Sequence, residues 1–453
     1  MSEVSTNLAL PFLRQAQAQK HVTVNESLLR LDATVQTRTL SRTITVQPGA
    51  PADGALYILP PGKSGADWGA MANNALAYFR DGVWEQITPR AGWSAFVIDE
   101  AGHVFFTGAE WAPLSASHAP ARTPRNALIN GAFSIWQRGG SFTAAGYCAD
   151  RWRLDLAGGS ASVTRQSFAL GQTDTPGEPA SFARVAATGG AGASDYVVLR
   201  QRIEHVRTFA GAQATLSFYA KRSAGAGNVA VELAQIFGTG GSPSASVTAI
   251  GAAIVAIGAS WARYSVTIDA PSVSGKTLGS NDDDYLELNF WLSAGASLDA
   301  RTASLGAQTV TIDFALAQME GGAHASPFEA HPEAVDLAEC QRFFEKSFRL
   351  AYAPAQNAGV NTGEAVWSAA TAGATGQRNE VRFARPKRQV PTIALYNPSA
   401  ANAQIRDQSV NADFTGSVAF NVTESGLALF GTGAAGTAVG NRVGVHWTAD
   451  AEL

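Results

Sequence analysis

Between Asn126 and about Ala330 the chain offers one short alternating segment after another, with no helical pattern in between. The segments are Ser162–Phe168, Tyr196–Ile203, Ala214–Ala220, Val229–Ile236, Tyr264–Asp269, Tyr285–Trp291 and Thr309–Leu316. In one of them Tyr264, Val266 and Ile268 share a parity while Ser265 and Thr267 take the other. Successive side chains of a strand point to opposite faces of its sheet, so each segment has one face to bury. Many short strands without intervening helices leave an antiparallel sandwich or a jelly roll. No repeat of solenoid or propeller period and no run of parallel β-helix coils is visible.

The flanks differ. Pro11 to about Arg38 reads as helix, with Val24, Leu28, Leu31 and Val35 in a 4-3-4 spacing that makes one apolar seam. That seam serves either packing on its own domain or a short oligomeric coiled coil. After it come short strands at Ile44–Val46, Ala55–Leu59, Leu76–Phe79, Trp84–Ile87, Ala95–Ile98 and Val104–Thr107. Asp81-Gly82 between two aromatic strands is a hairpin signal. Residues 115–125 (SASHAPARTPR) are Pro- and Ala-rich without periodicity and read as a linker. Helix returns at about Val335 to Phe348, where Leu337, Phe344 and Phe348 can share a face, and the rest is Gly-rich and strand-like. The expected fold is mainly β. It comprises a helix plus small β-domain (1–114), the linker, a central antiparallel jelly-roll sandwich (126–333) and a C-terminal β-domain (334–453).

Charged residues make up 15% of the chain and the net charge is −4, which argues against a broad nucleic-acid-binding surface. The two cysteines, Cys148 and Cys340, support neither a disulfide framework nor a Cys-based zinc site. Met1 to Leu10 lacks a basic region followed by an apolar one, so synthesis in the cytoplasm without a signal peptide is expected. Ala249 to Ala259 is too short and Gly-interrupted to span a bilayer, so no membrane insertion is expected.

Few motifs carry chemistry. Ala270 to Thr277 (APSVSGKT) has the outline of a phosphate-binding loop, but no helix pattern follows it, so Lys276 reads as a loop lysine. The seven histidines show no His-x-x-x-His spacing and there is no Gly-x-Ser-x-Gly elbow. Asp282, Asp283 and Asp284 precede a strand near Glu287 and read either as a solvated turn or as oxygen donors for a structural calcium. A glycosidase would need two carboxylates across a cleft, and no partner is nominated. No catalytic residue and no further cofactor is expected. Among the aromatics Trp136, Trp152, Trp261 and Trp291, a core role competes with an exposed ring that stacks on a pyranose. Trp291 and Tyr285 lie on one parity of one strand, and Trp136 sits beside Gln137 and Arg138, so these three are the glycan-binding candidates.

The blocks Leu10–Ala33, Gly54–Leu59 (GALYIL), Trp84–Trp93 (WEQITPRAGW) and Phe105–Trp111 occur in order. Over about residues 5 to 113 they resemble a domain family of unknown function found in alphaproteobacterial phages, prophages and gene transfer agents. Asn126–Gly140 (NALINGAFSIWQRGG), Ala149–Trp152 (ADRW), Thr215–Lys221 (TLSFYAK), Phe237–Ser244 (FGTGGSPS), Glu339–Ser347 and the closing WTADAEL look like a phage tail-fibre module. The resemblance implies a virion tail fibre or head spike with a jelly roll of carbohydrate-binding type, and it carries no catalytic residues. It implies a homo-oligomer, trimer favoured and pentamer open, attached through the N-terminal domain to tail or capsid proteins and displayed on the particle surface. Host surface polysaccharide, capsule or lipopolysaccharide, would be the partner. A structural connector and a polysaccharide depolymerase remain as alternatives.

Overall fold

The computed structural model describes residues 5–8, 10, 11, 20–113 and 125–453. The expected linker, apart from Arg125, and residues 12–19 of the expected first helix lie outside the described residues. The chain forms two compact units, Met1–His118 and Ala119–Leu453.

In the first unit the helix is Lys20–Thr34. The Leu31 carbonyl accepts the Val35 N–H, and Gln36 then takes a left-handed φ of 51°, which ends the helix before Arg38. Asp32 fastens it, accepting the Ser5 hydroxyl at 2.5 Å, the Asn7 N–H at 2.9 Å and the Tyr78 hydroxyl at 3.3 Å. Ala33 enters the core with Leu56, Leu76, Val97 and Trp111. The seam faces outward: Val24, Leu31 and Val35 are 39%, 47% and 45% exposed. Two small sheets follow, the larger made by Arg38–Thr39, Ser94–Val97, Gly102–Phe106 and Trp111–Pro113. The smaller contains the expected hairpin, where Asp81 and Gly82 (φ 48° and 82°) join Leu76–Arg80 to Val83–Ile87. Ile44–Val46 is not a strand; only Val46 bridges to Ser64.

The second unit holds the sandwich, two six-stranded antiparallel sheets. The first runs Val247–Ala256, Asn228–Ile236, Tyr285–Ala294, Tyr196–Glu204, Trp152–Ala157, Gly146–Tyr147. The second runs Ala262–Asp269, Gln213–Gly225, Thr309–Gly321, Ser181–Thr188, Ser160–Ser167, Ser141–Phe142. Alternation decides what lies between them. Leu286, Leu288, Phe290 and Leu292 of one strand meet Leu216, Phe218, Ile312 and Phe314 of the facing sheet in a common core. At roughly 1.5–3 kcal/mol for each large apolar side chain removed from water, this core dominates the unit's stability.

The expected helix 335–348 is cut short. Glu333–Gln341 is helical, but Phe344–Lys346 pairs with the strand Arg442–Asp450, so Leu337, Phe344 and Phe348 do not share a helical face. Arg442–Asp450 also pairs with Ala365–Ser368 and Thr392–Tyr396, over a core that contains Ile405, Phe414, Leu429 and Trp447.

This sheet carries a buried histidine. His446 is fully covered, stacked on Phe348 at 3.9 Å, with Ser347 Oγ 3.1 Å from Nδ1 and Thr362 Oγ1 2.8 Å from Nε2. Burial holds its pKa below the usual 6.5, against the pull of Glu364. The unfolded chain takes up this proton more readily than the folded one. The His446 contribution is therefore complete above about pH 6.5 and is lost as the pH falls through the depressed value. We expect the urea midpoint to fall between about pH 7 and about pH 5, and His446→Gln to flatten that part of the profile. Parallel profiles would refute the assignment.

Candidate functional site

The outer face of the first sheet is polar because alternation places the opposite parity there. Tyr285, Glu287 and Asn289 project from Tyr285–Ala294, Arg200 and Arg202 from its neighbour, and Arg153 and Asp155 from the next strand. Register puts Arg202 opposite Glu287, Arg200 opposite Asn289, and Arg153 opposite both Arg200 and Tyr147. An alternating charge ladder results. Arg153 contacts Asp155 at 2.9 Å, Asp155 contacts Arg200 at 3.3 Å, and Glu287 joins Arg200 at 3.1 Å to Arg202 at 3.2 Å. Aromatic rings stand at its end: the Arg202 guanidinium lies 4.8 Å from the Tyr285 ring, and that of Arg153 lies 5.5 Å from Tyr147. Burial disfavours the Arg202 charge, but Tyr147, Tyr285 and Glu287 outweigh it and its pKa is raised. Burial also raises the Tyr285 hydroxyl, against Arg202, so it stays a neutral donor. Glu287 and Asn289 are buried within this face, while Arg153, Asp155, Arg200, Arg202 and Tyr285 are half-buried and held in place, and these fixed donors and acceptors suit hydroxyl-rich ligands.

At the Arg202 end the face runs into a cleft of about 930 Å³, lined among others by Arg202, Glu204, His205, Asp282, Asp284 and Arg342. Here the structure joins two sequence-predicted residues to one that was missed. His205, Asp282 and Asp284 offer ligand atoms that all lie within 4.8 Å of one another. Asp284 is held by the Val206 N–H, which donates to its carboxylate at 2.7 Å. Asp283 turns away and accepts the Thr239 N–H at 2.7 Å; its bonds to Thr239 hold its pKa below the usual value despite some burial. The donor set suits calcium poorly, because an imidazole replaces an oxygen and two guanidiniums lie close. Arg342 pairs with Glu204 at 2.9 Å, and Arg388 donates to the Asp282 carbonyl at 2.9 Å.

The tryptophans go to the interior. Trp136 is 6% exposed, and its indole N–H donates to the Phe133 carbonyl at 2.7 Å. Trp291 has the expected outward parity but is 1% exposed. Residues 295–305 fold back over it: Leu298 and Leu305 pack on the ring beside Val198 and Ala230, and the Arg301 guanidinium lies 4.9 Å from it. Neither indole offers a face to a sugar, and of the three aromatic candidates only Tyr285 lies half-exposed. Trp152 is also core, while Trp261 is half-buried against Phe168 and Phe182. Lys276 lies in the loop after Ala262–Asp269, with no helix following. Sequence reasoning missed Tyr147, Arg153, Asp155, Arg200, Arg202 and His205. The signal was the recurrence of charge on one parity in Arg153/Asp155 and Arg200/Arg202/Glu204, which local reading could not place side by side.

Several solved structures share a likeness with part of the chain. One is the enzymatically active domain of tailspike protein 4 of bacteriophage CBA120, at 13% identity and TM-score 0.26 over 44% of this chain and 21% of that one. Another is the family 11 carbohydrate-binding module of the Clostridium thermocellum cellulase Lic26A-Cel5E, at 12% identity and TM-score 0.24, covering 42% of this chain and 98% of the module. A third is the N-terminal cellulose-binding domain of Cellulomonas fimi β-1,4-glucanase C, at 15% identity and TM-score 0.24, covering 43% of this chain and 95% of that domain. No curated protein matches the sequence. No described helix is long and apolar enough to cross a membrane, which leaves membrane-crossing strands unaddressed. In the N-terminal unit, residues 24–112 match the family described as "Protein of unknown function (DUF2793)".

Proposed function

We propose that this chain is a fibre or spike component of a phage-type particle that holds host surface polysaccharide on the outer face of the first sheet. The N-terminal unit serves attachment to the particle. The observation that carries the binding reading is the ladder Arg153–Asp155–Arg200–Glu287–Arg202 with Tyr285 and Tyr147 beside it. Such a ladder bonds sugar hydroxyls while the rings cover the apolar face of a pyranose. It also favours binding over hydrolysis. Asp155 and Glu287 each contact two guanidiniums, so neither is placed to hand a proton to a leaving group.

The test is incubation of the full chain with host capsule or lipopolysaccharide. Binding without new reducing ends supports the reading, released oligosaccharides establish a depolymerase, and no interaction leaves a structural connector. Tyr285→Ala should weaken binding by ~1–3 kcal/mol, as for other stacking platforms, with little change in melting temperature. Unchanged affinity in a calorimetric titration would move the site elsewhere.

Assembly follows from the first helix. Its Asp32/Ala33 face is buried while Val24, Leu31 and Val35 of the heptad-spaced seam are exposed and Leu28 is half-buried, the arrangement of a helix that pairs with copies of itself. We expect a homo-oligomer, a trimer in preference to a pentamer, and expect Leu31→Glu to reduce it to monomers at micromolar concentration. An unchanged mass by sedimentation would place the assembly contact outside this helix.

A further inference from the structure

A second cleft, of about 510 Å³, lies on the outer face of the other sheet. Its floor is Tyr219 and Leu316, and Phe328 and Pro179 form walls. Arg263, His331 and Asp336 stand at the rim. The cleft is pre-formed. Glu320 accepts the Ser326 N–H at 2.8 Å and its hydroxyl at 2.6 Å, and the Gln318 side-chain amide oxygen accepts the Glu329 N–H at 2.7 Å, which fixes Phe328. Arg263 is locked by donating to the Ser217 hydroxyl at 3.1 Å and to the Ser326 carbonyl. His331 Nδ1 stands 3.2 Å from the Asp336 carboxylate.

We propose that this cleft is a second saccharide site, sized for one or two pyranose rings, independent of the charge ladder on the first sheet. The half-buried rings of Tyr219 and Phe328 suit the apolar face of a sugar. The Tyr219 hydroxyl has no partner among the described residues and is available to a ligand. A wholly apolar ligand would cover the guanidinium, imidazole and carboxylate of the rim without bonding them, at a desolvation cost. An extended peptide finds no backbone to pair with, because the floor is a sheet face: Tyr219 already pairs with Arg263 and Ala315. Two sites on opposite faces of one sandwich let a single chain engage two glycan strands, which multiplies weak affinities on a multivalent particle.

The experiment is isothermal titration of the full chain with cello-, xylo-, laminari- and maltohexaose. The expected result is two sites per chain for at least one of them. Tyr219→Ala and Phe328→Ala should each weaken one site by roughly tenfold or more and leave the other, while Tyr285→Ala does the converse. Tyr219→Phe, which keeps the ring, should retain most of the binding, and melting curves confirm that each variant is folded. A single site lost in Tyr285→Ala and untouched by Tyr219→Ala and Phe328→Ala overturns the second cleft and spares the first. A single site lost only in Tyr219→Ala and Phe328→Ala supports the second cleft and leaves the ladder without a part in binding these four sugars. No binding to any of the four sugars overturns the second cleft.

Discussion

Replacing Trp291 by alanine should cost roughly 3–5 kcal/mol of folding stability, as for a buried tryptophan, and leave the folded protein's affinity for polysaccharide nearly unchanged. The indole is 1% exposed, with Val198, Ala230, Leu298 and Leu305 against it and Tyr196 5.8 Å away edge-on. Deleting it opens a cavity that the sheet, paired on both sides of Trp291, cannot close. Urea unfolding followed by a binding titration separates the two readings. A stable variant that no longer binds would show that residues 295–305 leave the ring in solution and that Trp291 is a stacking platform after all.

Arg151→Ala is the second large effect, again roughly 3–5 kcal/mol, because it removes one partner of a buried ion pair. Arg151 is 1% exposed and belongs to the sandwich, yet its partners come largely from the C-terminal part of the chain. Its guanidinium lies 3.4 Å from the Phe343 ring, pairs with Glu452 and donates to the Arg202 carbonyl. Burial lowers its pKa to about 10, so it stays charged at neutral pH. Without it, Arg138 at 3.3 Å is the one cationic partner left to Glu452 among the described residues. Arg151→Lys keeps the charge but not the planar fork, and should recover part of the loss. Since Arg151 and Arg202 also line the cleft, Arg151→Ala should loosen that wall, visible as faster amide exchange in Arg202–Thr208. A loss below about 1 kcal/mol would mean that other contacts hold the C-terminal sheets to the sandwich.

The alternating segments were legible in the sequence because strand periodicity is local. Tyr285–Trp291 and Ala214–Ala220 became strands, and Asp81-Gly82 made its turn, since each is set by neighbours within a few residues. So was the shared parity of Tyr285 and Trp291. Fates within that parity were not legible: one ring stays half-exposed beside Arg202, and the other disappears under residues that follow its own strand. The Asp282–Asp284 run shows the same limit. Its sequence makes three equivalent donors, and only the turn after Tyr196–Glu204 brings His205 to two of them while Thr239 takes the third.

The sequence by itself determined the β class, the inward parity of the sandwich strands and the heptad seam of the first helix, because each depends on spacing along the chain. Tertiary structure decided the rest. It ended the helix at Gln341 so that Phe344–Lys346 could pair with a strand a hundred residues away, and it turned scattered arginines and carboxylates into one ladder. The reason is physical: which strands become neighbours and what covers an outward face depend on contacts between distant residues, and those form only when the whole core closes.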